Sequence, residues 1–232
     1  MFCYGLYHFL ESYGILEQEK SKEVIEVLAM NLYIVRHGET DWNKEKKVQG
    51  RMDIPLNEAG IQLAKETREA LKDINFDYVF TSPLKRARQT AEIIAFPYTE
   101  QVKTDDRLIE MDFGEYEGWS VTEREENAEF MKFFTDPVGF VPSAGGESFQ
   151  DILERIRNFT EEIFKEPVLQ DKDVLIVSHG AAINALLTVI KENPLEKFWG
   201  EGVGGNCSVT KVSVWKGKPE IIYEKRALGK ER

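Results

Sequence analysis

Residues 32–43 read LYIVRHGETDWN, and in them a short apolar run ends in an arginine, a histidine and a glycine. Such a run, bounded by polar residues, predicts a buried strand. Residues 174–180 read VLIVSHG and repeat the pattern of an apolar run followed by a histidine and a glycine. Two strands that each present a histidine at the carboxyl end indicate one shared site. The arginine beside the first histidine indicates that this site binds phosphate.

The rest of the chain alternates between helical and strand patterns. Apolar residues at helical spacing predict helices over about 58–72, 83–95, 149–164 and 181–190, and apolar runs predict strands over 76–80, 208–215 and 220–223. Asn57 is expected to cap the first helix, and Ser82 is expected to cap the second, with Pro83 as its first residue. This alternation predicts an α/β fold in which a mostly parallel sheet is covered by helices on both faces.

Three parts of the chain are expected. Residues 1–30 are expected to form a helical appendage, residues 31–232 the main domain, and about 115–147 a small helical lid within that domain. Met30 directly precedes the first strand. Two interpretations of the appendage therefore stay open: either Met30 is the true start, or the appendage is a real extension that packs on the domain or a neighbour. No pattern predicts the oligomeric state.

Composition excludes several classes of protein. The 232 residues carry a net charge of −11, which argues against nucleic-acid binding and means that a local arginine cluster must hold any anionic ligand. Cys3 and Cys207 are the two cysteines and form no CxxC pair, so we expect neither a disulfide framework nor a zinc site, and a cytoplasmic location. No apolar run reaches the roughly 20 residues of a membrane helix. The first residues lack the basic start of a signal peptide.

The predicted sheet brings the candidate residues together. Ligands of open α/β sheets bind outside the carboxyl ends of the strands. Arg36 and His37 follow one strand, His179 and Gly180 follow another, and Arg86 lies in the first turn of the helix after a third. An arginine and a phosphate charge 4 Å apart gain roughly 4 kcal/mol at an effective dielectric of about 20, before desolvation.

These residues suit phosphoryl transfer. A neutral imidazole is nucleophilic near pH 7 and can accept a phosphoryl group. The departing alkoxide needs a proton, for which a carboxylic acid such as Glu110 is a candidate. Taken singly, each residue has an ordinary interpretation: a strand-end histidine is usually structural, and Asn43 and Gln49 could be plain loop hydrogen bonders. The combination at one sheet edge favours a site.

Four motifs then occur in a recognisable order. They are RHGET at 36–40 with Asn43, SPLKRA at 82–87 with Gln89 and Thr90, LIE at 108–110 with Phe113-Gly114 and Glu117-Gly118, and SHG at 178–180. Together they resemble the histidine phosphatase superfamily, the phosphoglycerate-mutase-like group, over about residues 31–225. The resemblance implies a metal-independent phosphatase without a cofactor, a hydrolase whose partner is a small-molecule phosphate monoester.

The resemblance also implies a role for each matching residue. His37 would become the phosphohistidine, and Glu110 would donate a proton and later activate water. The remaining implied contacts are phosphoryl binding by Arg36, Arg86 and His179, a side-chain donor from Asn43, a backbone donor from Gly180, and a substrate-side lining by Gln49 and Gly50.

The family contains phosphatases and mutases, so alternatives remain. Mutases of this kind place basic residues after the acid glutamate, whereas Met111 and Asp112 follow Glu110 here. The lid is rich in glutamates, which should repel polyanions. Both features favour hydrolysis of a monophosphate. A phosphoglycerate mutase and a non-catalytic phosphate-binding protein stay open as alternatives, as does the identity of the ester.

Overall fold

The structure is a computed structural model, and it describes residues 29–228. The predicted appendage, apart from its last two residues, lies outside this range. The description begins at the first strand and ends after the last one, so it contains the whole predicted sheet.

Six strands form one sheet within the described residues. They are β1 (Met30–Arg36), β2 (Tyr78–Thr81), β3 (Val102–Thr104), β4 (Asp173–Ser178), β5 (Val209–Trp215) and β6 (Lys218–Arg226). Their order is β3-β2-β4-β1-β5-β6. The pairs β1–β4, β2–β4 and β2–β3 are parallel, and β5 pairs antiparallel with both β1 and β6. The predicted, mostly parallel sheet is therefore confirmed.

Seven α-helices connect these strands in the same range. They are α1 (Asp41–Lys44), α2 (Glu58–Ala70), α3 (Lys85–Ala95), α4 (Val121–Glu126), α5 (Ala128–Thr135), α6 (Phe149–Lys165) and α7 (Gly180–Ile190). Asn57 caps α2 as expected, because its side chain accepts from the Gly60 N–H. Helices α4 and α5 belong to the predicted lid. In the described part of the chain, no helix is both long and apolar enough to cross a membrane.

The strand residues alternate between two apolar layers, as the pleat of a strand requires. Leu32 and Ile34 of β1 pack with the buried stripes of α6 and α7 on one face. Tyr33 and Val35 pack with α3 and the end of α2 on the other face. Helices thus cover both faces and leave the carboxyl ends of β1, β2 and β4 aligned at one edge.

The predicted start of α3 is wrong. The helix begins at Lys85, after Leu84, rather than at Pro83. Ser82 does not cap it, because the Ser82 hydroxyl is hydrogen-bonded to His179 Nε2 at 2.6 Å. The hydroxyl also accepts from the Leu84 N–H at 3.3 Å, which ends the strand in a turn before the helix. The hydrogen bond with His179, which is distant in sequence, therefore replaces the helix cap that the local sequence predicts for Ser82.

Candidate active site

A cavity of about 140 Å³ opens at this edge of the sheet. Eight of the nine predicted site residues line it: Arg36, His37, Asn43, Gln49, Gly50, Arg86, Glu110 and Gly180. The ninth, His179, is fully buried behind this lining, with its ring centroid 5.2 Å from that of His37. The sheet edge therefore brings together residues that are up to 144 positions apart in the sequence.

His37 is held as a neutral imidazole with one defined tautomer. Its Nδ1 lies 2.7 Å from the Gly38 carbonyl oxygen, which can only accept, so Nδ1 carries the proton. Burial lowers the pKa of His37 well below its ordinary value, and the positive charges of Arg86 and Arg36 lower it further. At pH 7 the Nε2 atom therefore keeps its lone pair, which is the requirement for a nucleophile.

The turn that carries His37 depends on glycine at the next position. A Cβ on Gly38 would lie 2.7 Å from the carbonyl oxygen of Gly60 at the start of α2. The Gly38 N–H also donates to Thr90 Oγ1 on α3 at 2.9 Å. Close backbone approach thus fixes the strand end against two helices, and it explains the glycine of the RHG motif.

His179 is the N-cap residue of α7 and has one ring nitrogen without a partner. Its Nε2 is bonded to Ser82 Oγ, while its buried Nδ1 has no hydrogen-bond partner. Burial lowers the pKa of His179 well below its ordinary value, and nearby Arg86 lowers it further. If the Ser82 hydroxyl donates to Nε2, the neutral ring carries its proton at Nδ1 and has a donor to offer.

Two buried arginines add positive charge. Arg36 donates from Nη1 to the Gly204 carbonyl at 2.6 Å, and Arg86 donates to the carbonyls of Met52 and Gly50 at 2.6 and 2.7 Å. The Nε atom of each arginine is buried and has no partner. Burial lowers the pKa of Arg86 to about 10, so it stays charged at pH 7. Two charged groups with unused donors beside an imidazole form a site suited to an anion.

Glu110 lies at the amino terminus of α7. Its Oε1 accepts from the N–H groups of Met111 and Ala182 at 2.9 and 3.0 Å, and its Oε2 accepts from Ala181 at 3.2 Å. Backbone N–H groups at a helix start favour an anionic partner. These contacts fix the carboxyl group in the wall of the cavity beside Gly180.

An ion pair between a buried glutamate and a partly buried arginine holds the loop on both sides of Glu110. Arg155 of α6 pairs with both Glu147 oxygens at 2.6 and 2.9 Å and donates from Nη1 to the carbonyls of Arg107 and Ile109. The Glu147 N–H donates to the Asp112 carbonyl at 2.8 Å. The segment before Glu110 and the segment after it are thus tied to one rigid helix.

Polar residues of the loop after β1 complete the part of the cavity that contains His37 and the two arginines. Asn43 Oδ1 accepts from the Thr40 N–H at 3.2 Å and from Asn206 Nδ2 at 3.3 Å, so its Nδ2 is the group that can donate to an anion. Gln49 Oε1 accepts from Thr40 Oγ1 at 3.0 Å. Gly50 has φ +51°, and a Cβ there would lie 1.9 Å from a Glu117 oxygen, so both the backbone and the space favour glycine at this position.

A second wall of the cavity was missed by the sequence reasoning. It consists of lid and neighbouring residues, most of them aromatic: Phe113, Phe130, Phe133, Phe134, Trp199 and Val203, with Arg124 and Lys47 among them. The lid carries no chemical motif, and its glutamates indicate only that polyanions are repelled. The aromatic residues at 130, 133 and 134 do have the spacing of one helix face, which is the signal that could have identified this wall.

Comparison with known proteins gives concordant results. The family model for the histidine phosphatase superfamily (branch 1) matches residues 32–225. The chain is 42% identical over 158 residues to "Uncharacterized phosphatase PhoE" of Bacillus subtilis (strain 168), a match that covers 68% of this chain and 75% of that protein. It is 34% identical over 188 residues to "Probable phosphoglycerate mutase GpmB" of Salmonella choleraesuis (strain SC-B67), covering 79% and 84%.

A solved structure shows the same fold. The phosphoserine phosphatase of Entamoeba histolytica, in complex with 3-phosphoglyceric acid, superimposes with a TM-score of 0.74 at 30% identity. The superposition covers 85% of this chain and 98% of that one.

Proposed function

The chain belongs to the histidine phosphatase superfamily and is a hydrolase of its phosphoglycerate-mutase-like phosphatase type, and from this premise we propose a specific activity for it. It is a metal-independent phosphomonoester hydrolase that acts on a small phosphorylated metabolite through a phosphohistidine at His37. One observation carries the proposal: a neutral imidazole, with its lone pair on Nε2, lines a cavity between two buried arginines that have unused donors.

Binding places the phosphoryl group at the polar end of the cavity. Arg36 and Arg86 neutralise its charge, and Asn43 Nδ2 and the Gly180 N–H add neutral donors. His179 offers Nδ1–H beside the nucleophile. Fixed donors of this kind act on the charge that the equatorial oxygens carry during phosphoryl transfer.

The reaction proceeds in two balanced steps. In the first, His37 Nε2 attacks phosphorus, the P–N bond forms, the ester P–O bond breaks, and Glu110 gives a proton to the leaving alkoxide. The proton that Glu110 gives up in this step is the one that it regains in the second step. In the second, water attacks phosphorus, Glu110 takes a proton from it, and the P–N bond breaks to release inorganic phosphate and neutral His37.

The surroundings of Glu110 support hydrolysis rather than isomerisation. The two residues that follow Glu110 are Met111 and Asp112, and neither is basic. Arg51, which lies 3.3 Å from Asp112, is already paired with that carboxylate. Relatives carry both activities in their names, a phosphatase in Bacillus subtilis and a phosphoglycerate mutase in Salmonella. The product must therefore be identified directly.

Turnover of p-nitrophenyl phosphate in EDTA tests the proposal, with Arg86→Ala as the main variant. Loss of a preorganised donor of this type costs about 10²–10³-fold in turnover. Arg88→Ala is the matched control, because Arg88 lies on the same helix, is exposed and pairs with Glu92, and its loss changes the net charge equally. We expect Arg88→Ala to retain the unmodified rate.

Three results would contradict the proposal. Turnover that requires an added divalent metal would contradict the metal-independent step. Isomer formation from 3-phosphoglycerate that outruns phosphate release would favour a mutase. Phosphate binding without any turnover would favour a non-catalytic protein.

The free thiol of Cys207 supports a cytoplasmic location as part of the proposal. Cys207 is a free, buried thiol, and burial raises its pKa to about 12. A thiol of this kind is inert and packs like a small apolar residue.

A further inference from the structure

The cavity has an apolar side wall with one charged group in it. Phe113, Phe130 and Phe133 line the cavity together with the polar residues that would hold the phosphoryl group, and Trp199 packs on Phe133 and extends this wall. The cavity of about 140 Å³ must hold the phosphoryl group as well as part of the leaving group, and it opens to solvent. The aromatic lining therefore favours a compact leaving group whose body is apolar or flat.

Arg124 is the charged group in this wall. It lies on α4 of the lid and lines the cavity. Its Nε atom is buried and has no hydrogen-bond partner. Three glutamates, at positions 123, 125 and 126, flank it in sequence, yet none forms an ion pair with it in the described part of the chain.

The other cations nearby are already engaged. Lys132, the other lid cation, pairs with Glu129 at 2.8 Å. Lys47, which also lines the cavity, pairs with Glu45 at 2.7 Å and lies over the ring of Trp42. Arg124 is thus the cation that this wall keeps available for a ligand.

We propose that Arg124 binds a carboxylate on the leaving group, so that the preferred substrates are phosphomonoesters whose small apolar leaving group carries one carboxylate. This assignment rests on the proposed phosphatase activity. A single guanidinium matches a single carboxylate through two parallel N–H···O bonds. The flanking glutamates disfavour a second phosphate group, whose charge is nearly twice as large.

The contact should act mainly on binding. Arg124 lies on the lid and is not one of the residues that would hold the phosphoryl group, so it meets the carboxylate equally in the bound substrate and in the transition state. An interaction of that kind changes KM more than kcat. Charge-assisted hydrogen bonds at a partly exposed site correspond to roughly tenfold in affinity.

A pair of esters isolates this contact. The probes are 4-carboxyphenyl phosphate and 4-methylphenyl phosphate, which share a ring and differ in the carboxylate. The measured quantity is the ratio of their kcat/KM values in the same enzyme sample, because this ratio cancels any loss of folded protein. The variants are Arg124→Met, Arg124→Lys and, as a control of equal charge change in the same lid, Lys132→Met.

We expect Arg124→Met to lower the carboxylate preference about tenfold, mainly through KM for the carboxylate ester. Arg124→Lys should restore part of the preference, and Lys132→Met should keep the preference of the unmodified enzyme. A ratio that is the same in Arg124→Met and the unmodified enzyme would overturn the assignment while leaving the phosphatase proposal intact. Failure of the unmodified enzyme to hydrolyse either ester would instead overturn the phosphatase proposal and this assignment with it.

Discussion

Arg155→Met removes the guanidinium that clamps the loop around Glu110. The side chain of Arg155 is 16% exposed and that of its partner Glu147 is 8% exposed. The substitution deletes both ion-pair bonds and the two bonds to the carbonyls of Arg107 and Ile109. Methionine fills a similar volume, so the change removes charge and donors more than it removes packing.

The stability cost follows from the carboxylate left behind. Removing one member of a buried ion pair costs about 3–5 kcal/mol, because the remaining charge is desolvated without a partner. Arg51 approaches Glu147 at 3.4 Å and compensates only in part, since it is itself 39% exposed and shared with Asp112. The double variant Arg155→Met/Glu147→Met removes the stranded charge, and we expect it to be more stable than the single variant.

Urea unfolding at pH 7.5 measures these free energies. We expect a lower transition midpoint with an unchanged m-value for Arg155→Met. Arg157→Met is the matched control, because Arg157 is an exposed arginine on the same helix. Its expected effect lies within about 0.5 kcal/mol.

Kinetics separate positioning of Glu110 from general destabilisation. Proton donation matters for an alkyl phosphate, whose alkoxide leaves poorly, and much less for p-nitrophenyl phosphate. Arg155→Met should therefore lower kcat for the alkyl ester by at least about tenfold more than for the nitrophenyl ester. Equal losses on both esters, or a stability loss no larger than that of Arg157→Met, would refute the reasoning.

Two further predictions concern Glu110 and the buried histidines. Glu110→Gln should lower hydrolysis of an alkyl phosphate by about 10²–10⁴-fold and that of p-nitrophenyl phosphate much less; equal loss in a steady-state comparison would remove Glu110 as the proton donor. Burial lowers the pKa values of His37 and His179 below the ordinary value of 6.5, so below pH 6.5 the unfolded chain binds more protons than the folded one. The stability that the two neutral histidines allow is therefore present above pH 6.5 and is lost as the pH falls below it. The free energy of unfolding, measured by urea titration in phosphate-free buffer, should fall with a slope that approaches about 2.7 kcal/mol per pH unit roughly one unit below pH 6.5. His37→Gln should remove about half of that slope, and a flat profile between pH 7 and 5 would show that the histidines are not held neutral.

The sequence predicts most strands of the sheet because an apolar run within each strand is enough to identify it. The apolar runs of β1 and β4 are buried along their whole length, so they read as strands without tertiary information. The stripe of Phe149, Ile152 and Ile156 predicts α6 for the same reason. In contrast, β3 has only three residues at the edge of the sheet, two of them exposed, and no apolar pattern marks it.

Sequence rules that use only neighbouring residues fail where a side chain bonds to a residue far away in the sequence. Ser82 satisfies the pattern of a helix cap, but His179, which lies 97 positions away, takes its hydroxyl. Arg155 looks like one of several polar residues on α6, and its role at Glu110 follows only from the packing of that helix on the loop. Arg124 lies in an acidic segment, and only the fold shows that it faces the cavity. The domain boundaries and the cytoplasmic location stay predictions.

The central claim is that His37 carries the phosphoryl group, and acid-sensitive phosphoenzyme trapping tests it most directly. The enzyme would be mixed with a ³²P-labelled phosphate ester, quenched in alkali within milliseconds, digested and mapped by mass spectrometry. The account predicts label on His37 that is stable to alkali, lost in acid, and formed and discharged at rates no slower than turnover. Label on another residue, or full turnover by His37→Ala with no phosphoenzyme, would contradict it.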